Sequence, residues 1–318
     1  MITFIARRIL VSIVVLIGIS IALFGLLQLM PGDPAQMMLD PLSFQGDRAA
    51  ALARLRVELG LNKPLPVQYV DWMGQLIRGH FGYSYVDGRS VARVFAGRIG
   101  PTVLLMGSAL LIAIIVGISA GTLAALRRNT WTDYSVTFVS LLAISVPSFF
   151  LGLVGVYVFG MQLRWLPVGG LHTTGVNTFP DLVKHLVLPA AILGFAMAGP
   201  YVRYARSSMI EVLGQDYQVT AMSKGLSRRQ VVLRHALPNA LIPLITVIAI
   251  QIPLLLGGAV VIEQIFAIPG IGQLVLDSIQ ARNYPIVLTF VMGVAILVLI
   301  CNLLADVLYA VVDPRIRV

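Results

Sequence analysis

Of the chain's 318 residues, 58% are hydrophobic and 12% are charged, where soluble domains carry roughly 45–50% and 25%. Its apolar residues gather in runs of about 20 with few charges, enough to cross roughly 30 Å of hydrocarbon, so water is excluded as the main solvent. The net charge of +9 has no long Lys/Arg tract behind it, which argues against nucleic-acid binding and leaves the basic residues as topology signals between spans.

Six transmembrane helices are predicted, making an all-α integral membrane protein. The first, Ile9 to Met30, follows Arg7 and Arg8. It exceeds the roughly 7–15 apolar residues of a signal peptide, so residues 1–30 are expected to stay as an anchor. Residues 31–98 form an elaborated segment expected outside the cell membrane. In it, Asp47 to Leu59 and Pro66 to Arg78 have helical spacing, each followed by a glycine, Gly60 and Gly79. This segment reads equally as a structural cap or as a lid or docking surface.

Span two covers Thr102 to Leu126, and span three Tyr134 to Phe159. In span three, Pro147 between Ser145 and Ser148 should break the helix near its middle, exposing backbone carbonyls to a translocated molecule or accommodating a neighbour. Span four covers Leu186 to Tyr204, span five Leu241 to Ile262 and span six Pro285 to Asp306, followed by a tail, 307–318. Residues 99–306 are thus a five-helix core whose span centres hold no ionisable residue. Gln251 in span five is costly in hydrocarbon unless it lines a path or bonds a neighbouring helix. Ser145, Ser148 and Gln251 are the candidate path residues.

With the N-terminus inside, the inner segments hold twelve Lys and Arg, while the two short outer loops hold only Arg164, Lys184 and Arg282. Both termini are therefore expected in the cytoplasm. The inner loop 204–240 is longer than a connection requires. Glu211 to Lys224 supports a helix, Gly225 permits a positive φ, and Ser227 with Gln230 three residues on has the spacing of a capping box opening a second helix through Arg234. Pro238 and Pro243 punctuate the start of span five. The loop reads as a stiff lever.

Enzymatic chemistry is not expected. Every lysine stands outside a Gly-Lys-Ser/Thr phosphate loop, in Asn62-Lys63-Pro64, Val183-Lys184-His185 and Ser223-Lys224-Gly225. His80, His172, His185 and His235 fall away from the span centres, so Ser140, Ser145 and Ser148 find no base there. The single Cys301 allows neither an intrachain disulfide nor a cysteine metal cluster, and no catalytic or metal residue is assigned.

The inner loop resembles the membrane subunits of ABC importers, whose pattern is Glu-Ala-Ala, three residues, Gly, nine residues, then Ile-x-Leu-Pro. Ala221, Gly225, Leu237 and Pro238 match, while Val219, Thr220 and His235 differ. The run YQVTAMSKGLSRRQVVLRHALPNALIP is similar to the peptide-permease branch, as are ARRILVSIVVLIGIS with LMPGDPA, FGYSYVDGRSV, AISVPSFFLG, EQIFAIPGIGQL and DPRIR. The chain is thus identified as similar to the first of two paired permeases in dipeptide and oligopeptide uptake. That resemblance implies a type I importer transmembrane domain in a bacterial inner membrane, paired with a second related permease and two cytoplasmic ATPase subunits that bind ATP and Mg. An extracytoplasmic binding protein would deliver peptide. It also implies contact with the ATPases through Thr220, Ala221, Lys224, Gly225, Leu226, Ser227, Leu237 and Pro238. Related permeases carry glutathione, nickel chelates or other small solutes; the reading from another class is a carrier or channel working alone, for which buried ionisable groups or paired broken helices would be expected.

Overall fold

The computed structural model describes residues 2–30, 34–38 and 47–312. Its helices, in chain order, are α1 (Ile2–Leu29), α2 (Pro34–Met38), α3 (Arg48–Glu58), α4 (Leu65–Ile77), α5 (Val91–Leu126), α6 (Trp131–Ser145), α7 (Ser148–Gly155), α8 (Phe179–Leu213), α9 (Asp216–Ser223), α10 (Arg228–Val231), α11 (Leu237–Ile265), α12 (Ile271–Gln280) and α13 (Tyr284–Val312). Within LMPGDPA, residues 31–33 lie outside the described residues, as do the closing DPRIR and its two arginines.

Among the described residues, five helices are long and apolar enough to cross a bilayer, and α6 with α7, which a π-helical stretch continues to Gln162, forms a sixth apolar pair bent by 98°. The bend falls at Val146 and Pro147, where Val146 is extended and proline cannot continue the hydrogen-bond ladder. This is the break expected in span three. Spans two and four run beyond their apolar stretches, to Val91–Leu126 and Phe179–Leu213, because a helix satisfies its own backbone beyond the hydrocarbon as well as within it.

Two compact units divide the chain. Among the described residues, one comprises 2–5, 100–273 and 300–312, the other those within 6–99 and 274–299. In the first unit α8 packs against α6 and α11. Its approach to α5 depends on Gly117 and Gly121, four residues apart. A Cβ at Gly117 would lie 2.4 Å from Cβ of Tyr201, and one at Gly121 2.6 Å from the carbonyl oxygen of Val202. Small residues on one helical stripe let helices touch where lipid supplies no hydrophobic driving force between them. Leu105, Leu193, Ile262, Phe266 and Ile268 fill one core of this unit.

In the second unit, α4 lies against α1. The hydroxyls of Ser20 and Tyr69 are 2.8 Å apart, Phe24 meets Tyr69 edge-on at 5.6 Å between ring centroids, and Leu23, Leu288 and Met292 are packed by Met73 and Leu76. Asp47 caps α3 by accepting from the Ala49 N–H at 3.0 Å. Both α3 and α4 end at the glycines marked in the sequence, Gly60 (φ +69°) and Gly79 (φ +79°), with Leu61 N–H bonded to Arg56 O and His80 N–H to Gln75 O.

Candidate coupling loop and translocation path

The loop after α8 is built from bonds between near neighbours. A helix was expected over Glu211 to Lys224; instead α8 ends at Leu213, Gly214 closes it, and α9 begins at Asp216 after the extended Gln215. An acid in the first turn complements the helix dipole there. Thr220 faces solvent and its hydroxyl donates to Asp216 O at 3.2 Å, while Ala221 is 9% exposed.

Lys224 caps α9. Gly225, at φ +83°, donates its N–H to Met222 O at 2.9 Å, and the Leu226 N–H reaches Ala221 O at 3.4 Å. This pair of bonds is the Schellman closure of a helix, which places its glycine in the left-handed region. Around the position a Gly225 Cβ would take, nothing lies within 4 Å. The chain then reverses into α10 through the expected capping box: Ser227 N–H donates to Gln230 Oε1 at 2.9 Å and Gln230 N–H to Ser227 Oγ at 3.4 Å.

The second helix does not stop before span five. A wider π-helical turn over Val232–Ala236 carries α10 directly into α11. Pro238 lacks an N–H and its ring excludes the carbonyl four residues earlier, which a widened turn relieves; Asn239 Nδ2 donates to His235 O at 2.7 Å. Leu237 packs on the cluster of Ala125, Met209, Val232, Ala236 and Ala240, so the base of the loop is anchored to α5, α8 and α11. Pro238 is exposed. On the buried face of α9, Gln218 is 1% exposed and neither amide atom has a hydrogen-bond partner among the described residues; sequence reasoning passed over it because a glutamine in a polar loop signals nothing by itself.

The path candidates are not brought into one cluster by hydrogen bonds. Ser145 ends α6 and Ser148 opens α7, on either side of the bend. Gln251 is half-buried in the middle of α11, and its amide makes no hydrogen bond among the described residues, to either serine or to a neighbouring helix.

Two buried carboxylates lie just beyond the predicted spans, whose centres were expected to hold no ionisable residue. Glu263, fully buried, lies inside α11, which runs three residues beyond the predicted end. Its carboxylate accepts from Thr102 Oγ1 at 2.6 Å and from Gln273 N–H at 3.1 Å, and Thr102 Oγ1 in turn accepts from Ile271 N–H at 2.8 Å. It thereby closes the turn between α11 and α12 and caps the start of α12. A Cβ at Gly270 would sit 2.2 Å from this carboxylate. The signal available in the sequence was an acid at a span end followed seven and nine residues later by glycines. Asp133, 2% exposed, is held by a two-pronged bond from Arg206, at 2.6 and 2.7 Å, and by Asn129 N–H at 3.0 Å. Seventy-three residues separate the partners, so only the fold pairs them.

Comparison with known proteins finds sequence relatives over the whole chain. Residues 102–318 match the family described as the binding-protein-dependent transport system inner membrane component, and residues 1–106 match its N-terminal family. The chain belongs to this family. The permease is 42% identical over 320 residues to the oligopeptide transport system permease protein AppB of Bacillus subtilis, covering all of both chains. It is 37% identical to the dipeptide transport system permease protein DppB of Alkalihalophilus pseudofirmus, again over all of both. It is also 37% identical to the glutathione transport system permease protein GsiC of Escherichia coli K12, over all of this chain and 99% of that one. Among solved structures, the MetNI methionine ABC transporter in an inward-facing form shares the fold, with a TM-score of 0.54 at 17% identity over 69% of this chain and 96% of that one. The permease is therefore a multi-pass membrane protein with the type I ABC importer fold.

Proposed function

We propose that this permease lines the membrane path of an ATP-driven importer of short peptides, and that the element α9–Gly225–α10 receives the stroke of separate ATPase subunits. The observation that carries the coupling role is the pairing of a Schellman closure with a capping box around Gly225, on a base packed into three membrane helices. A motor closing on nucleotide moves such helices only through an element too stiff to absorb the motion. Ala221 and Gly225 allow close seating; Thr220, Leu226, Ser227, Leu237 and Pro238 shape and anchor the contact, and Lys224 offers a cation to an acidic cleft.

The full assembly in this reading has a second related permease, two cytoplasmic ATPases that bind ATP and Mg, and an extracytoplasmic binding protein that delivers the cargo. Both termini lie in the cytoplasm of a bacterial inner membrane, with residues 31–98 outside, residues 99–306 as the core and 307–318 as a cytoplasmic tail. Peptide cargo is supported by the names of AppB and DppB, and glutathione, itself a short peptide, by GsiC. In this reading Ser145 and Ser148, beside the bend at Pro147, and Gln251, whose amide makes no hydrogen bond among the described residues, line the path.

Reconstitution in liposomes tests the proposal. The complete assembly takes up radiolabelled di- and tripeptides in an ATP-dependent manner, and the isolated permease neither transports nor hydrolyses ATP. Uptake by the isolated chain, driven by an ion gradient and indifferent to ATP, contradicts it.

A further inference from the structure

Helix α4 belongs to the segment assigned to the outer side, yet it lies level with the membrane spans of its own compact unit. Met73 and Leu76 pack on a cluster of Leu23, Leu288 and Met292. Leu23 stands six residues before the end of α1, and Leu288 and Met292 four and eight residues after the start of α13. At 1.5 Å per residue, that is about 6–12 Å inside either helix end. The Tyr69 hydroxyl reaches deeper still, to Ser20 at 2.8 Å. The two spans, 25 and 24 residues long, measure about 36–38 Å and must cover about 30 Å of hydrocarbon, so they have little length to spare beyond it. A helix that touches them here lies beside the outer leaflet, not above it.

Three faces divide α4. Tyr69, Trp72, Met73 and Leu76 face the spans. Asp71, the helix's one charged residue, shares a polar strip with Gln75 and is neutralised by Lys63 at 2.6 Å. A third stripe, at helical spacing, carries Val67, Val70 and Ile77, which are 43%, 65% and 77% exposed. Over the same level α1 leaves Ile17, Ile21 and Leu26 uncovered, so the stripe continues the apolar surface of a span. Along one edge Val70 borders a cleft of about 480 Å³ that holds Glu58, Lys63, Asp71 and Arg78. An apolar face that meets charge along its edge, on a helix with Trp and Tyr, is the pattern of an element lying between hydrocarbon and headgroups. Helices that pack on one another in a bilayer meet mainly through small residues, whereas β-branched and bulky side chains dominate this stripe.

We infer that α4 is an interfacial helix whose stripe of Val67, Val70 and Ile77 is immersed in the acyl chains of the outer leaflet, with Asp71 and Gln75 turned to headgroups and water. The outer sidedness rests on the topology proposed above; the immersion rests on the contacts with α1 and α13. Held by two spans on one side and by lipid on another, α4 serves as a cap fixed to the membrane, not as a lid that swings.

The test places the photoreactive residue p-benzoylphenylalanine at Ile77, Val70 or Gln75, one position at a time, in the complete importer in nanodiscs of phosphatidylethanolamine and phosphatidylglycerol. After irradiation the permease is weighed by mass spectrometry. Ile77 and Val70 give several-fold more phospholipid adduct than Gln75. Two results overturn the inference: crosslinks from Ile77 and Val70 to another protein chain, which make the stripe a protein interface, or lipid adducts no more abundant than at Gln75, which leave it in water. Should these variants fail to assemble, a phospholipid with a diazirine in its acyl chain, irradiated with the wild-type importer, decides by whether it labels α4. Adduct formation needs neither cargo nor ATP, so its failure is distinct from failure of the uptake test.

Discussion

The loop around Gly225 and the junction around Glu263 both reverse the chain between helices, but by opposite means. The loop is exposed and its turn is closed by bonds spanning three to five residues, from Gly225 to Met222, from Leu226 to Ala221 and between Ser227 and Gln230. The junction is buried and its key bond joins Thr102 to Glu263 across 161 positions. A turn made of local bonds keeps its shape when its surroundings move, which suits an element that must be pushed. A turn made of distant bonds holds two parts of the unit together and fails as a whole when one partner is lost.

That contrast is open to direct attack, beginning where the effect is largest. Gly270→Val drives a side chain into the Glu263 carboxylate, and overpacking on this scale costs about 3 kcal/mol; the purified complex should unfold at markedly lower temperature, with less permease in the membrane. Thr102→Val keeps the volume but leaves Ile271 N–H unsatisfied and removes a donor from Glu263, for a loss of about 2 kcal/mol in the same melt. In the loop, Ser227→Ala removes only a helix cap and costs about 1 kcal/mol locally; global unfolding should barely shift, while amide hydrogen exchange in α10 speeds up. A large global shift in Ser227→Ala would erase the distinction between the two turns.

The same contrast explains what the sequence made legible. Spans announce themselves by composition, and Gly225, Ser227 and Gln230 by spacing, because the physics that fixes them acts within a few residues. The proline break between Ser145 and Ser148 was visible for that reason. The interruption at Gly214, the widened turn at Val232–Ala236 that joins α10 to α11, the burial of Glu263 and the Asp133–Arg206 pair were not. Each depends on what a segment packs against or on a partner far along the chain. Thr102 and Gly270 carry no mark of their roles until Glu263 is placed between them.

The most direct test of the coupling role replaces Gly225 with leucine in the assembled importer and follows two readouts, co-purification of the ATPase subunits and ATP-driven peptide uptake. A leucine at φ +83° is strained by about 1–2 kcal/mol, and it projects from an exposed turn with nothing within 4 Å, so the permease should still insert. The account predicts normal permease levels in the membrane with weakened ATPase association and uptake reduced by about tenfold, the factor that corresponds to a loss of roughly 1.4 kcal/mol. Undiminished association together with undiminished uptake would contradict it.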